Sequence, residues 1–254
     1  MILPDVESLI TVFLIFLRVF FFLFMIPFFG TFFLPTVVRI YFSFAIAFSF
    51  LLMETVEPVR VDSSFQLVEI ALKEALFGFT AGFILRLIFD AITVAGEVIA
   101  VHAGLGFLMM FLPQQPQTTV LAGFSVLLGS ALFLSLGGAE TVYIGILKSL
   151  ETVPPGYFDL YSLSGEKIIS FFYSSFALGV KVALPVLIAS LLTNIILAVV
   201  NRFIPQINVF MVGLPLQIMV GLIVFALSLP VIGIVLTSHM REYMFSFMRF
   251  MVMK

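Results

Sequence analysis

The sequence predicts an all-α fold: a polytopic membrane-protein helical bundle with long kinked helical hairpins. Three observations predict it. The 254 residues are 62% hydrophobic and only 10% charged, whereas a soluble domain is about half apolar and a quarter charged. The apolar residues arrive in long unbroken runs, as lipid-facing or protein-buried spans require. Glycine and alanine recur at helical spacing, so that helix backbones can approach one another closely.

The first run, Leu9 to Phe29, is rich in Phe, with Arg18 inside it and Pro27 near its end. It follows Asp5 and Glu7, where a secretory leader would carry Lys or Arg, so it is expected to be a retained span. Residues 30–35 form a turn, and Thr36 to Met53 make a second run with Arg39 in its first turn. Glu54 to Ser64 is a polar surface loop. A third helix is expected over Val68 to Phe89, entered through Glu69, Lys73 and Glu74 and left through Arg86 and Asp90. Gly78 and Gly82 stand four apart in it.

Ala91 to Gly106 is richer in small residues, with Gly96, Ala100 and Gly104 on one stripe and Ala91, Ala95 and Ala103 on a neighbouring one. Such a helix is suited to a surround of other helices, since lipid gains little from it. Phe107 to Thr119 follows as a hydrophobic knob and a Pro/Gln/Thr stretch. Val120 to Leu136 is a further span. A short helix after Gly137-Gly138 ends at Pro154-Pro155-Gly156, in a region flanked by tyrosines. The last third reads as a hairpin: Ile168 to Val200 with Pro185 inside, a polar tip, and Met211 to Thr237 with Pro215 and Pro230. The first arm would be about 50 Å tall against about 30 Å of hydrocarbon. Arg241 to Lys254 is a basic amphipathic tail. Its charges favour a cytoplasmic C-terminus, which with the acidic N-terminus outside needs an odd number of crossings. The runs supply about six candidate spans by the length rule.

Chemistry is sparse. Net charge is -2, with no basic footprint for nucleic acid. The absence of Cys removes disulfides and thiolate metal sites. His102 and His239 are far apart, and no hydrolase elbow, zinc helix or phosphate loop occurs. No catalytic, metal or cofactor residues are expected, and an enzyme is disfavoured. What remains is a set of polar groups inside apolar runs: Arg18, Arg39, Arg86, Asp90, Glu97, Lys181 and Asn194. A charge at mid-membrane costs at least ~3 kcal/mol, so each is expected to face protein or water. Arg86 and Asp90 are four apart and can pair on one face. Inter-helix pairing is the plainer expectation; a hydrated path along Asp90 and Glu97 is the sharper one. That path would make the chain a small-solute transporter or ion channel subunit. Phe107, Met109, Met110 and Phe111 before Pro113 fit either a surface anchor or a plug, since Met adapts its shape at little cost.

At the hairpin tip, Asn201, Arg202, Pro205, Gln206, Asn208, Val209 and Phe210, then Gly213, Pro215 and Gly221, resemble the strongest motif of the FliR/SctT family of type III export proteins. Arg39 after Pro35, and Ala95-Gly96-Glu97 leading to Gly104, are similar to its N-terminal and middle patterns, and the glycine–leucine details resemble the flagellar branch. The resemblance spans the chain. It implies a subunit of an export gate in the bacterial inner membrane and flagellar basal body. FliP-like and FliQ-like partners surround a protein-conducting path there, a FlhB-like switch protein stands alongside, and unfolded flagellar proteins pass as substrates. It further implies a FliP-like part over 1–167, a FliQ-like hairpin over 168–254, and a closing loop at 107–119. In that loop many relatives have Asp-Pro where this chain has Leu112-Pro113, and His102 stands where Gln is common.

Overall fold

The structure is a computed structural model that describes residues 5–26, 35–52, 56–61, 63–109, 119–159, 165–204 and 209–252. These residues are almost entirely helical, with no strand among them: α1 (Val6–Met25), α2 (Thr36–Leu52), α3 (Ser64–His102), the single turn α4 (Gly106–Met109), α5 (Val120–Ser135), α6 (Gly138–Thr152), α7 (Gly165–Phe203) and α8 (Val209–Met251). The expected helices over 68–89 and 91–106 are one continuous α3. No Pro or Gly stands between Phe83 and Ala95. Arg86 and Asp90 change what surrounds the helix and leave its backbone bonding intact. α3 ends where Gly104 takes a left-handed φ of 79°, a conformation glycine adopts without strain. The tail from Arg241 is likewise the end of α8 rather than a separate segment.

Three helices are long and apolar enough to cross a membrane: Val6–Met25, Gly165–Phe203 and Met211–Met251. The count rises to four if α5 and α6, bent by 65° at Gly137, make one broken span. Fewer spans emerge than the six apolar runs suggested: α2 is too short, α5 qualifies only as part of the bent pair, and α3, which carries the run over 68–89, is not among the qualifying helices.

The chain forms two compact units built from interleaved segments, residues 1–87, 137–172 and 242–254 in the first and 88–136 and 173–241 in the second. In the first, α1 buries Thr11, Leu14, Ile15, Arg18, Val19, Phe22 and Leu23, every third or fourth residue, which is one helical face. Gly78 and Gly82 of α3 lie directly on the α1 backbone at Arg18 and Phe22, where a Cβ has no room. Phe22 stacks near Phe247 and Phe77 meets Phe158 edge-on at 5.0 Å. The buried Tyr243 hydroxyl donates to the Ile84 carbonyl, which ties the end of α8 to α3.

In the second unit the small-residue part of α3 is surrounded. Gly96 lies on Ala122 and Ser125 of α5, Ala91 faces Gly179 of α7, and Ala103 faces Gly221 of α8. Ala95, Ala100 and Ala103 are fully buried, and Phe89 packs edge-on against Phe133. The chain's own helices therefore cover the stripes that the sequence marks as unsuited to lipid.

Candidate functional site

A heavily bonded, buried polar group lies in the first unit. Arg18, at 1% exposure, presents its fork to Glu74, at 0%: Nε to Oε2 at 2.6 Å and Nη2 to Oε1 at 3.1 Å. The remaining donors reach the end of α6, Nη1 to the Ser149 carbonyl and hydroxyl and Nη2 to the Val153 carbonyl. Glu74 Oε1 also accepts the Gly156 N–H at 2.9 Å, and the guanidinium lies 4.5 Å from the centre of the Phe77 ring. A charge so deeply buried persists only when paired and hydrogen-bonded in this way. A guanidinium at the carbonyl end of α6 also meets the negative pole of that helix. The arrangement joins α1, α3 and α6; with every donor engaged it is a clamp, and proton transfer or catalysis finds no free group there.

Next to the clamp, which it meets at Gly156, the same unit opens into a cleft of about 980 Å³, with Glu57, Arg60, Glu69, Lys73 and Glu151 among its lining residues. Its two irregular walls are each held by hydrogen bonds from buried side chains. Thr11, fully buried, donates to the Glu7 carbonyl and accepts the Val59 N–H at 2.8 Å. The other wall is held through Val153 and Gly156 by Arg18 and Glu74.

In the second unit, polar side chains fasten the ends of helices. Glu97 Oε1 accepts the Thr119 N–H at 3.0 Å, and Thr119 Oγ1 caps α5 by accepting from Ala122. Gln217 donates to the His102 carbonyl at 2.9 Å, holding the last residue of α3. His102 Nδ1 lies 3.3 Å from Ser190 Oγ, whose hydroxyl donates to Leu187. Lys181 Nζ is 3.0 Å from His239 Nε2, and His239 Nδ1 is 3.0 Å from the Val235 carbonyl. No group of three or more His, Asp or Glu side chains among the described residues is arranged to hold a metal.

Comparison with known proteins gives this geometry its context. Residues 9–243 match the model of the family described as bacterial export proteins, family 1. The flagellar biosynthetic protein FliR of Aquifex aeolicus is 48% identical over 237 residues, 93% of this chain and 92% of the relative. The protein of that name from Bacillus subtilis is 30% identical over 89% of this chain and 88% of its own length.

The chain belongs to the FliR family of bacterial export proteins.

Within the FliR-family chain, the residues singled out from sequence fall into distinct places. Arg18 and Arg39 are buried, Arg39 with its guanidinium 5.8 Å from the Phe24 ring. Asp90 and Glu97 are half-buried. Arg86, Lys181 and Asn194 are exposed on the surface of this chain. Arg18 meets Glu74 rather than Asp90 or Glu97, and Lys181 meets His239. Of the hairpin-tip motif, Asn201 and Arg202 are exposed at the end of α7, Gly213 is buried and Pro215 is exposed in α8. Phe210 enters only through its place in the first turn of α8, and Pro205, Gln206 and Asn208 lie outside the described residues. Of the plug candidates, Phe107 is half-buried and Met109 closes α4; Met110, Phe111 and Pro113 lie outside the described residues. Glu74, Ser149, Thr11 and Gln217 were missed from sequence, each separated from its partner by tens of residues or hidden among neighbouring polar ones.

Proposed function

We propose that this chain is a non-enzymatic subunit of the flagellar protein-export gate. In this reading it forms part of a protein-conducting channel in the bacterial inner membrane with FliP-like and FliQ-like subunits, and a FlhB-like switch protein acts beside them. The observation that carries the proposal is the family match over nearly the whole chain, with full-length relatives named as flagellar biosynthetic proteins.

The surfaces of α7 and α8 support it. In α7, Phe176, Val180, Leu184, Ile188, Leu191 and Ile195 are all exposed, a stripe at spacings of four and three. In α8, Met219, Ile223, Leu227, Val231 and Ile234 repeat the pattern. The most apolar windows of these two helices are only 28% and 22% buried by the chain itself, against 44% for α1. Faces of this kind are completed by lipid or by helices of other subunits. A transporter reading would need Glu97 free on a hydrated path, whereas its carboxylate starts α5.

In this reading residues 107–119, which occupy the place of a closing loop in the family resemblance, help close the channel. Deleting the gene in its own host should abolish hook and filament proteins in the medium while their intracellular levels persist. Normal export in the deletion strain would refute the assignment. Removing only 109–115 should let ions leak across the membrane of growing cells; an unchanged seal would remove the closing role and leave the subunit role standing.

A further inference from the structure

The cleft in the first unit has a lining of mixed charge and apolar side chains. Its lining carries Glu7, Glu57, Glu69 and Glu151 against Arg60 and Lys73. Glu69 pairs with Lys73 at 2.7 Å, and Glu7 meets Arg60 at 3.5 Å. That leaves Glu57 and Glu151, both exposed and neither with a cationic partner among the described residues. Between the charges the lining is apolar, with Val56, Ile70 and Leu150 nearly fully buried. The walls are fixed before anything binds: Thr11 holds Val59, and Glu74 holds Gly156, which takes a left-handed φ of 92° against Ile70. Rigid walls reduce the ordering cost of association.

We propose that this cleft docks a basic, extended segment of a partner protein, whose lysine or arginine heads meet Glu57 and Glu151 while their aliphatic stems lie on the apolar lining. Long cationic side chains have this division of stem and head. Acyl chains would leave the carboxylates uncompensated, and anionic headgroups would be repelled. The inference rests on the cleft alone, so it can fail while the export-gate reading stands.

The test uses the full chain in zwitterionic phosphatidylcholine nanodiscs, where a basic peptide finds no anionic lipid. A short fluorescent peptide alternating lysine and leucine should bind by anisotropy, more weakly as salt rises. A glutamate–leucine peptide should not bind. Glu57→Gln with Glu151→Gln should weaken binding about tenfold, while Glu140→Gln leaves it unchanged. Glu57→Lys with Glu151→Lys should bind the glutamate peptide instead, a gain that a misfolded variant could not give. No binding by the natural chain, equal binding by the double glutamine variant, or full displacement by spermidine at equal charge would each overturn the proposal, the last by showing recognition of a bare ammonium.

Discussion

Arg18 and Glu74 show how a charge buried inside a helical bundle is tolerated. Each is expensive alone, and each removes the cost of the other because the fork, the α6 carbonyls and the Gly156 N–H leave no donor or oxygen idle. Arg18→Met should therefore destabilise the purified protein by about 3–5 kcal/mol, since it strands a buried carboxylate. Adding Glu74→Leu to it should recover much of that loss, and thermal melting of the single and double variants measures the difference. A double variant as unstable as the single one would show that the pair matters for its shape rather than its charge. Gly78→Ala would place a Cβ on the Arg18 carbonyl and should cost about 1–3 kcal/mol of overpacking. Gly233, with open space around it, should accept Ala with no loss. Arg18 was legible as a polar intruder in an apolar run. Glu74 was not, because beside Glu69 and Lys73 it reads as one more charge at a helix start. Its burial follows from α1 lying across Gly78, a contact between residues far apart in the chain.

Among the elements, helix identity was written in the sequence more clearly than helix length. Gly137 and the Pro154-Pro155-Gly156 turn bound α6 as their chemistry dictates. α3 ran on past Asp90 because a shift from greasy to small side chains alters packing without breaking a backbone bond. The small-residue stripe did indicate a surround of helices, but which helices supply it depends on pairings such as Gly96 with Ala122 and Gly221 with Ala103. The start of α5 depends on two side chains, Glu97 on the Thr119 amide and Thr119 on the Ala122 amide. Thr119→Ala should cost α5 about 0.5–2 kcal/mol. Glu97→Ala should speed hydrogen exchange at the Thr119 and Ala122 amides, whereas Glu97→Gln, which keeps an accepting oxygen, should change it little. Equal acceleration by both would show that the acceptor's charge, and not its hydrogen bond, holds the helix start.

For the whole molecule, the polar clamps of both units are satisfied internally while the long faces of α7 and α8 are not covered. Each unit buries a core of its own, while the apolar faces of α7 and α8 stay open. Composition showed that a membrane protein was present, and the hairpin-tip motif showed which family it resembles. Neither could show that the outward stripes run along α7 and α8, because apolar residues crowd every face of those helices and periodicity is hidden when nearly all positions are greasy. The central claim is that other membrane subunits cover these faces. It is tested most directly by the native mass of the affinity-tagged chain extracted from its own host in mild detergent. A particle well above the mass of the chain is expected, carrying two further small and very hydrophobic helical proteins. A monodisperse, thermally stable single chain with no companions would contradict it.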